Sequence, residues 1–146
     1  MSARGEAWES AFTTTRRLSD RIERELKAAR GISLPEYNVL LQLSRAGEAG
    51  LRAGALAREV VFSPSRLTHT LHRLRERGLV ERAECRSDAR GGVVTLTAAG
   101  RTEFEAAARV HRAVVRGLVL DALEPGDAEA LSRIFGRIAR RLDEDG

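Results

Sequence analysis

The sequence predicts a mainly α-helical fold with one small β-hairpin. Ser33 and Ser63 each precede a proline by one or two residues, and leucines at helical spacing follow both, a pattern that is typical of helix starts. Between Gly78 and Thr97, two short alternating segments flank a glycine-containing tip, which indicates a hairpin. We therefore expect a cluster of short helices, a two-stranded hairpin, and longer helices at both ends of the chain.

The composition favours one ordinary globular domain. The 146 residues are enough to bury a core without disulfides or metals. The net charge is +4, and Lys27 is the only lysine, so nearly all positive charge lies on arginine. Arginine suits phosphate and guanine, although genomic composition also produces such a bias. No apolar run approaches the roughly 20 residues that span a bilayer, and we find no secretion signal, so we expect a cytoplasmic protein.

The first three helices are placed by their terminal residues. Gly31 ends the first helix, because glycine readily adopts the left-handed backbone that closes helices. Ser33 and Glu36 have the capping-box spacing, which starts the second helix, and Gly47 and Gly50 break the chain after it. The predicted helices span residues 6–30, 35–46 and 53–60.

The fourth predicted helix, from Ser63 to Arg77, has two contrasting sides. Leucines on one stripe are expected to be buried: Leu67, Leu71 and Leu74. Polar and basic side chains on a second stripe are expected to be exposed: Arg66, His69, Thr70, Arg73 and Arg77. Such a row supplies donors for base edges and charge for phosphates, although a merely solvated face has the same pattern.

The rest of the chain is predicted as a hairpin followed by two helices. The strands are Leu79–Cys85 and Val93–Thr97, on either side of an arginine-rich tip at residues 86–92. A long helix follows over Ala98–Leu123. The last helix has an apolar stripe: Leu131, Ile134, Phe135, Ile138 and Leu142. The terminal helices hold more apolar surface than one compact core needs, which suits a partner subunit.

Several motifs in residues 35–100 fall in the order and spacing of a known family: Leu56-Ala57, Leu71-x-x-Leu74, Arg77-Gly78-Leu79-Val80-x-Arg82, Asp88-x-Arg90 and Leu96-Thr97-x-x-Gly100. On these residues the chain resembles the MarR family of winged helix-turn-helix transcriptional regulators. The resemblance implies a homodimer that binds a palindromic operator on double-stranded DNA, acts as a repressor, and is released by a small molecule. It also implies a single domain over residues 1–146, with a DNA-binding lobe at about 34–100 and dimerisation helices at about 6–30 and 101–143.

On the fourth helix, the resemblance assigns the DNA contacts to the N-cap and five polar residues: Ser63, Ser65, Arg66, Thr68, His69 and Arg73. Ser65, Arg66 and His69 correspond to side chains that enter the major groove. His69 stands where the family often has arginine or another long donor, so the base that it contacts is left open.

In the hairpin, which is the wing of this family, the resemblance assigns minor-groove contact to Arg90. Asp88 corresponds to the acid that pairs with a wing arginine and orients it. Arg86 is a further candidate for phosphate contact. Ala89 departs from the family pattern, because a basic residue is common there.

Two alternatives come from other functional classes. A winged domain with a basic face also suits an acidic protein partner. Cys85 allows a redox switch, although an ordinary strand residue explains this cysteine better. The sequence contains no catalytic triad, carboxylate pair or nucleotide motif that points to an enzyme.

Four residues are candidates for a small aromatic effector, although packing or a subunit interface explains them more simply: Trp8, Phe12, Tyr37 and His111. We predict no cofactor. We also predict no metal site, because His69 and His72 point in partly different directions and His111 has no second ligand one turn on.

Overall fold

The computed structural model describes residues 2–60, 63–85 and 88–146, and of residues 64, 84, 85 and 88–91 it describes the backbone only. The helices and strands in these ranges are α1 (Ala3–Arg30), α2 (Leu34–Ala46), β1 (Leu51–Arg52), α3 (Ala53–Val60), α4 (Pro64–Glu76), β2 (Val80–Cys85), β3 (Asp88–Leu96), α5 (Ala98–Leu118) and α6 (Asp127–Asp145). The chain divides into two compact units, Met1–Arg112 and Ala113–Gly146. The mainly helical fold with a small sheet is confirmed.

Local capping fixes the ends of α1 and the start of α2. α1 begins earlier than predicted, because Ser2 is the N-cap and its hydroxyl accepts a hydrogen bond from the Gly5 amide. α1 ends as predicted at Gly31, which has a φ of 66°. At the start of α2, the Ser33 hydroxyl accepts from the Glu36 amide and donates to the Glu36 carboxylate. The predicted capping pair is therefore present.

Both ends of α4 are capped by hydrogen bonds from neighbouring residues of the chain. The Ser63 hydroxyl accepts a hydrogen bond from the Arg66 amide at 3.3 Å, as an N-cap does. At the other end, the amides of Gly78 and Leu79 donate to the carbonyls of Arg75 and Leu74. This is the Schellman arrangement, and it needs the left-handed φ of 73° that Gly78 adopts.

The sheet has three antiparallel strands in the order β1-β3-β2, and not the two that the sequence predicts. The additional strand, β1, pairs Leu51 with Val94 and Arg52 with Val93. Two residues are too few to show an alternating pattern, so periodicity does not reveal them. Gly50, which the sequence predicts as a chain break, also lies against β3, where a Cβ atom would collide with the Val94 carbonyl.

The wing strand β3 begins at Asp88, before the predicted start at Val93. Cys85 pairs with Asp88, and the register shifts between Ala83 and Cys85. The predicted seven-residue tip is therefore too long. The glycines of this tip are typical of a turn, whereas Gly92 lies within a strand, close to the Ala83 carbonyl. Glycine inside a strand often marks a bulge or a close backbone approach.

The core lies in the first unit, among α1–α4, the sheet and the part of α5 that belongs to this unit. The residues with the most completely buried side chains are Leu26, Ile32, Val39, Leu40, Leu43, Leu56, Leu74 and Val94. Leu67 and Leu71 are also buried, which confirms that the leucine side of α4 faces inward. Thus α4 is anchored by one side and leaves its other side for function.

The second unit contains the end of α5, which is shorter than predicted, and α6, whose large apolar residues are exposed. α5 ends at Leu118 and not at Leu123, and a single 3₁₀ turn follows at Leu120–Ala122. Gly117 lies in the last turn of α5, where glycine is about 1 kcal/mol less favourable than alanine. In α6 the predicted apolar stripe is exposed throughout: Leu131, Ile134, Phe135, Ile138 and Leu142. None of the described helices is long and apolar enough to cross a membrane.

Candidate nucleic-acid interface

One side of α4 carries a row of exposed polar and basic side chains: Ser65, Arg66, Thr68, His69 and Arg73. The row is opposite the buried Leu67, Leu71 and Leu74. An exposed helix with long donors on one side fits the major groove, which admits an α-helix. The structure therefore brings five of the predicted contact residues onto one accessible surface.

Thr70 is a correction to that row, because it is buried and not exposed. Its hydroxyl donates a hydrogen bond of 2.9 Å to the Arg66 carbonyl within the same helix. Helical geometry places Thr70 next to the stripe of Leu67 and Leu74, so the core covers it. A threonine hydroxyl that is used in this way is satisfied without a nucleic acid.

Ser63 has a structural role whatever else it contacts. Its hydroxyl caps α4 through the Arg66 amide and lies 3.3 Å from the Ser65 hydroxyl. The cap holds the first turn of α4 in place, and this turn carries Ser65 and Arg66. Amides at a helix N-terminus favour anionic groups, which suits a phosphate beside this turn.

Arg77 is exposed as predicted, but its side chain is directed away from the row on α4. Its guanidinium donates to the Gly31 carbonyl at 3.0 Å and to the Arg30 carbonyl at 3.5 Å. The Nη1 atom is also 3.6 Å from Oε2 of Glu36. Helical spacing places Arg77 near the azimuth of Arg66, but α4 ends at Glu76 and the side chain turns back to the start of α2.

An ion pair between Arg30 and Glu103 lies beside these contacts. Arg30 donates from Nε to Oε1 at 2.9 Å and from Nη2 to Oε2 at 2.7 Å, which is a bidentate geometry. The hydrogen bond from Arg30 lowers the pKa of Glu103. The same hydrogen bond raises the pKa of Arg30. The sequence gives no local signal for this pair, because its partners are far apart in the chain.

The predicted wing residues are placed only in part. Arg86 lies outside the described residues, and so do the side chains of Asp88, Arg90 and Cys85. The backbone places Asp88 and Arg90 at the start of β3, in the wing hairpin. Their DNA contacts stay predictions, and a redox switch at Cys85 stays an alternative.

The predicted effector residues fall into two pairs. Tyr37 is buried and its ring stacks on His111, with the ring centroids 4.5 Å apart. Phe104, which the sequence analysis did not single out, stacks on Tyr37 at 5.9 Å. Trp8 and Phe12 form a separate exposed pair, 5.3 Å apart on α1. The structure thus shows packing for Tyr37 and accessible rings for the other pair.

Burial has opposite effects on the two polar rings of the stack. It raises the pKa of Tyr37, and it lowers the pKa of His111 with the help of the nearby Arg112 charge. Both shifts favour the neutral form, as desolvation does. Among the described residues there is no cluster of three or more histidine, cysteine or acidic side chains that could hold a metal ion.

Comparison with known proteins gives a consistent result. A family model described as the MarR family matches residues 30–91. The crystal structure of AbsC, a MarR family transcriptional regulator from Streptomyces coelicolor, is 30% identical, with a TM-score of 0.91, and the match covers 99% of this chain and 97% of that one. No curated protein is a significant match.

Two further solved structures are similar. Sco3205, a MarR family transcriptional regulator from Streptomyces coelicolor that was solved in complex with DNA, is 31% identical over 97% of this chain and 89% of that one, with a TM-score of 0.91. The organohalide-sensing regulator RdhR-CbdbA1625, in a 2,4-dichlorophenol-bound form, is 17% identical over 97% of this chain and 82% of that one, with a TM-score of 0.82. The latter likeness concerns the fold alone.

The family motifs, the winged helical fold and the near-complete match to two regulators agree with one another. Members of this family are transcription factors and not enzymes, and they act by binding DNA. The chain therefore belongs to the MarR family of DNA-binding transcriptional regulators.

Proposed function

We propose that this protein is a homodimeric repressor that binds a palindromic operator through α4 and the wing, and that a small molecule releases it. The observation that carries the proposal is the exposed row on α4 above three buried leucines. The similarity to Sco3205, which was solved in complex with DNA, supports it.

The contacts of α4 divide by chemistry. Ser65, Arg66 and His69 contact base edges, where arginine pairs with guanine through two hydrogen bonds. Thr68 and Arg73, beside them, contact the phosphate backbone, which sets position and orientation. Arginine contacts to phosphate release counterions, so the affinity falls steeply as salt rises.

The wing adds a second contact. Arg90 enters the minor groove beside the half-site, held by Asp88, and Arg86 contacts a phosphate. Arginine in the minor groove is favoured where A·T tracts narrow it. Replacing Arg90 with alanine is expected to weaken binding mainly on operators with A·T flanks, and a footprint of this variant tests that expectation.

Exposed apolar side chains on α6 and α1 support the proposed dimer. In α6, five large apolar side chains are exposed on one stripe, and in α1, Trp8 and Phe12 are exposed as well. A second copy of the chain would bury such surface and would present two copies of α4 to successive major grooves, as a palindrome requires.

The small-molecule part of the proposal rests on the exposed Trp8–Phe12 ring pair and on the Tyr37–His111 stack. Aromatic rings favour offset or edge contacts with aromatic ligands. A ligand that prefers a conformation unsuited to DNA would lower operator affinity by a population shift. Thermal shift against phenolic and other aromatic compounds, followed by operator release with each compound that stabilises the protein, tests this step.

The central experiment measures binding to DNA from upstream of the protein's own gene, compared with a scrambled duplex of the same composition. Specific binding is expected to be about 10³-fold tighter or more, and transcription from that promoter in vitro is expected to fall when the protein is added. Equal affinity for both duplexes would favour a winged module for protein contacts, and a rise in transcription would contradict repression.

A further inference from the structure

The C-terminal end of α4 lies beyond the row of exposed polar and basic side chains. Arg77 follows the last helical residue and reaches the connection between α1 and α2. Its donors meet the carbonyls of Gly31 and Arg30 at 3.0 and 3.5 Å. Carbonyls at a helix C-terminus lack partners within the helix and attract cations, so the end of α1 is a favourable acceptor for Arg77.

The Glu36 carboxylate is a second partner that holds the Arg77 side chain at this position. This residue is only 4% exposed. One carboxylate oxygen accepts the Ser33 hydroxyl at 2.9 Å, and the other lies 3.6 Å from Nη1 of Arg77. A buried carboxylate is costly without a charged partner. The Arg77–Glu36 pair therefore ties the end of α4 to the first turn of α2.

Arg30 extends the contact to α5. Its carbonyl accepts from Arg77, while its side chain holds Glu103 through two hydrogen bonds. The hydrogen bond from Arg30 and, to a smaller extent, the charge of Arg77 lower the pKa of Glu103. We call Arg77, Glu36, Arg30 and Glu103 the Arg77 cluster. It joins α4 to α1, α2 and α5 at one point.

The residues just after α4 also contact the residues at the start of α5. The Thr97 hydroxyl donates to the Gly78 carbonyl at 2.6 Å, and the Thr97 amide donates to the Leu79 carbonyl. Gly100 packs so closely that a Cβ atom would collide with the Leu79 carbonyl. The exit of α4 is thus fixed between the start of α5 and the Arg77 cluster.

We propose that Arg77 is a positioning residue for DNA binding, which sets the angle of α4 relative to α1, α2 and α5 without contacting DNA. The inference rests on the proposed function, in which α4 enters the major groove. A fixed angle matters because each α4 must meet its own groove in register with the other copy. Loss of the cluster leaves the contact row intact but lets it vary in direction.

Two substitutions and one control test this role. Arg77→Gln removes the guanidinium. Glu36→Gln removes the opposite charge but keeps a side chain that suits a capping box. Arg75→Gln removes a charge from an exposed neighbour on α4 and serves as the control. Affinity, its salt dependence and the preferred half-site spacing are measured for each variant on one set of symmetric operators.

Both cluster variants are expected to lose about 2- to 30-fold in operator affinity, the range typical of residues that act through a network. Their salt dependence is expected to match the wild type, and both are expected to discriminate less between operators whose half-site spacing differs by one base pair. Arg75→Gln is expected to keep the wild-type spacing preference.

Three outcomes would overturn the inference. If only Arg77→Gln weakens binding, and the salt slope falls by about one, then Arg77 contacts a phosphate. If both variants melt at lower temperature but bind with wild-type affinity and spacing preference, then the cluster serves stability alone. Unchanged amide exchange in the last turn of α4 of the free Arg77→Gln protein would also contradict it. Exchange needs no DNA, so if the wild type binds no operator, it still shows whether Arg77 orders the end of α4, while the proposed function fails separately.

Discussion

The two compact units differ in how they cover their apolar side chains. All the buried residues of the described chain lie in Met1–Arg112, including Leu26, Leu40 and Leu74. In Ala113–Gly146, where every residue is described, no residue is buried. α6 nevertheless has as regular an apolar stripe as any helix of the chain, with Ile134 and Phe135 among its members.

The difference separates two kinds of stability. Apolar burial gives roughly 25 cal/mol per Å², so the first unit is stabilised by contacts within one chain. A helix owes most of its stability to packing of its apolar face, and α6 exposes that face. We infer that the second unit is stabilised by a second copy, and substitutions in the two units are expected to respond differently to protein concentration.

The largest effect is expected for Leu74→Ala in the first unit. Leu74 is fully buried on the inner side of α4, and such truncations cost about 2–5 kcal/mol because they leave a cavity. Chemical denaturation measures the loss, which is expected to persist at every protein concentration. A loss under about 1 kcal/mol would show that the site is not tightly packed.

A smaller change in free energy is expected for Phe135→Glu in the second unit. A charge placed in an apolar interface should weaken dimerisation by about 2 kcal/mol or more, which is about 30-fold in the dissociation constant. Sedimentation over a concentration series measures it. Arg133→Glu places the same residue on the opposite side of α6 and is the control. If both variants dimerise equally well, α6 is not part of the dimer interface.

On α4, Arg66→Ala is expected to cost about 1–3 kcal/mol in operator binding and to relax specificity at one base position. Arg75→Ala is the matched control, because Arg75 lies about 180° around the helix from Arg66. Binding titrations on operators with single base changes measure both variants. If the two lose equal affinity at all positions, α4 contributes only general charge.

The smallest expected effect is the change in folding stability with pH that the His111 ring causes. The pKa of His111 lies below its usual 6.5 because of burial and Arg112, so the folded protein holds this ring neutral. As the pH falls below 6.5, the unfolded chain binds the proton first, and stability decreases until the lowered pKa of the folded state is passed. His111→Phe keeps a ring beside Tyr37 and should remove this part of the slope. An unchanged slope would contradict the shift.

The parts of the fold that the sequence predicts correctly depend on near neighbours. The Ser33 and Ser63 caps act over three residues, and the leucine stripe of α4 needs only helical periodicity. Those signals locate the helices and the exposed row. They also carry the family motifs, so the winged helical part of the chain is recognisable before any contact is known.

The sequence predictions are wrong where contacts between residues far apart in the chain determine the structure. Helical periodicity predicts Arg77 beside Arg66, but the carbonyls that accept its hydrogen bonds lie 46 and 47 residues away in the chain. Thr70 borders the leucine stripe, and only packing shows that the core covers it. β1 is formed by pairing with β3 and has no pattern of its own. Local propensity contains none of this information.

A hydroxyl-radical footprint on a symmetric operator, combined with the binding stoichiometry, tests the central claim most directly. Two copies of α4 in adjacent major grooves predict two protected stretches with centres about 10 base pairs apart, at two chains per duplex. A single protected stretch at one chain per duplex, or protection that does not depend on sequence, would contradict a dimeric repressor that contacts DNA through α4.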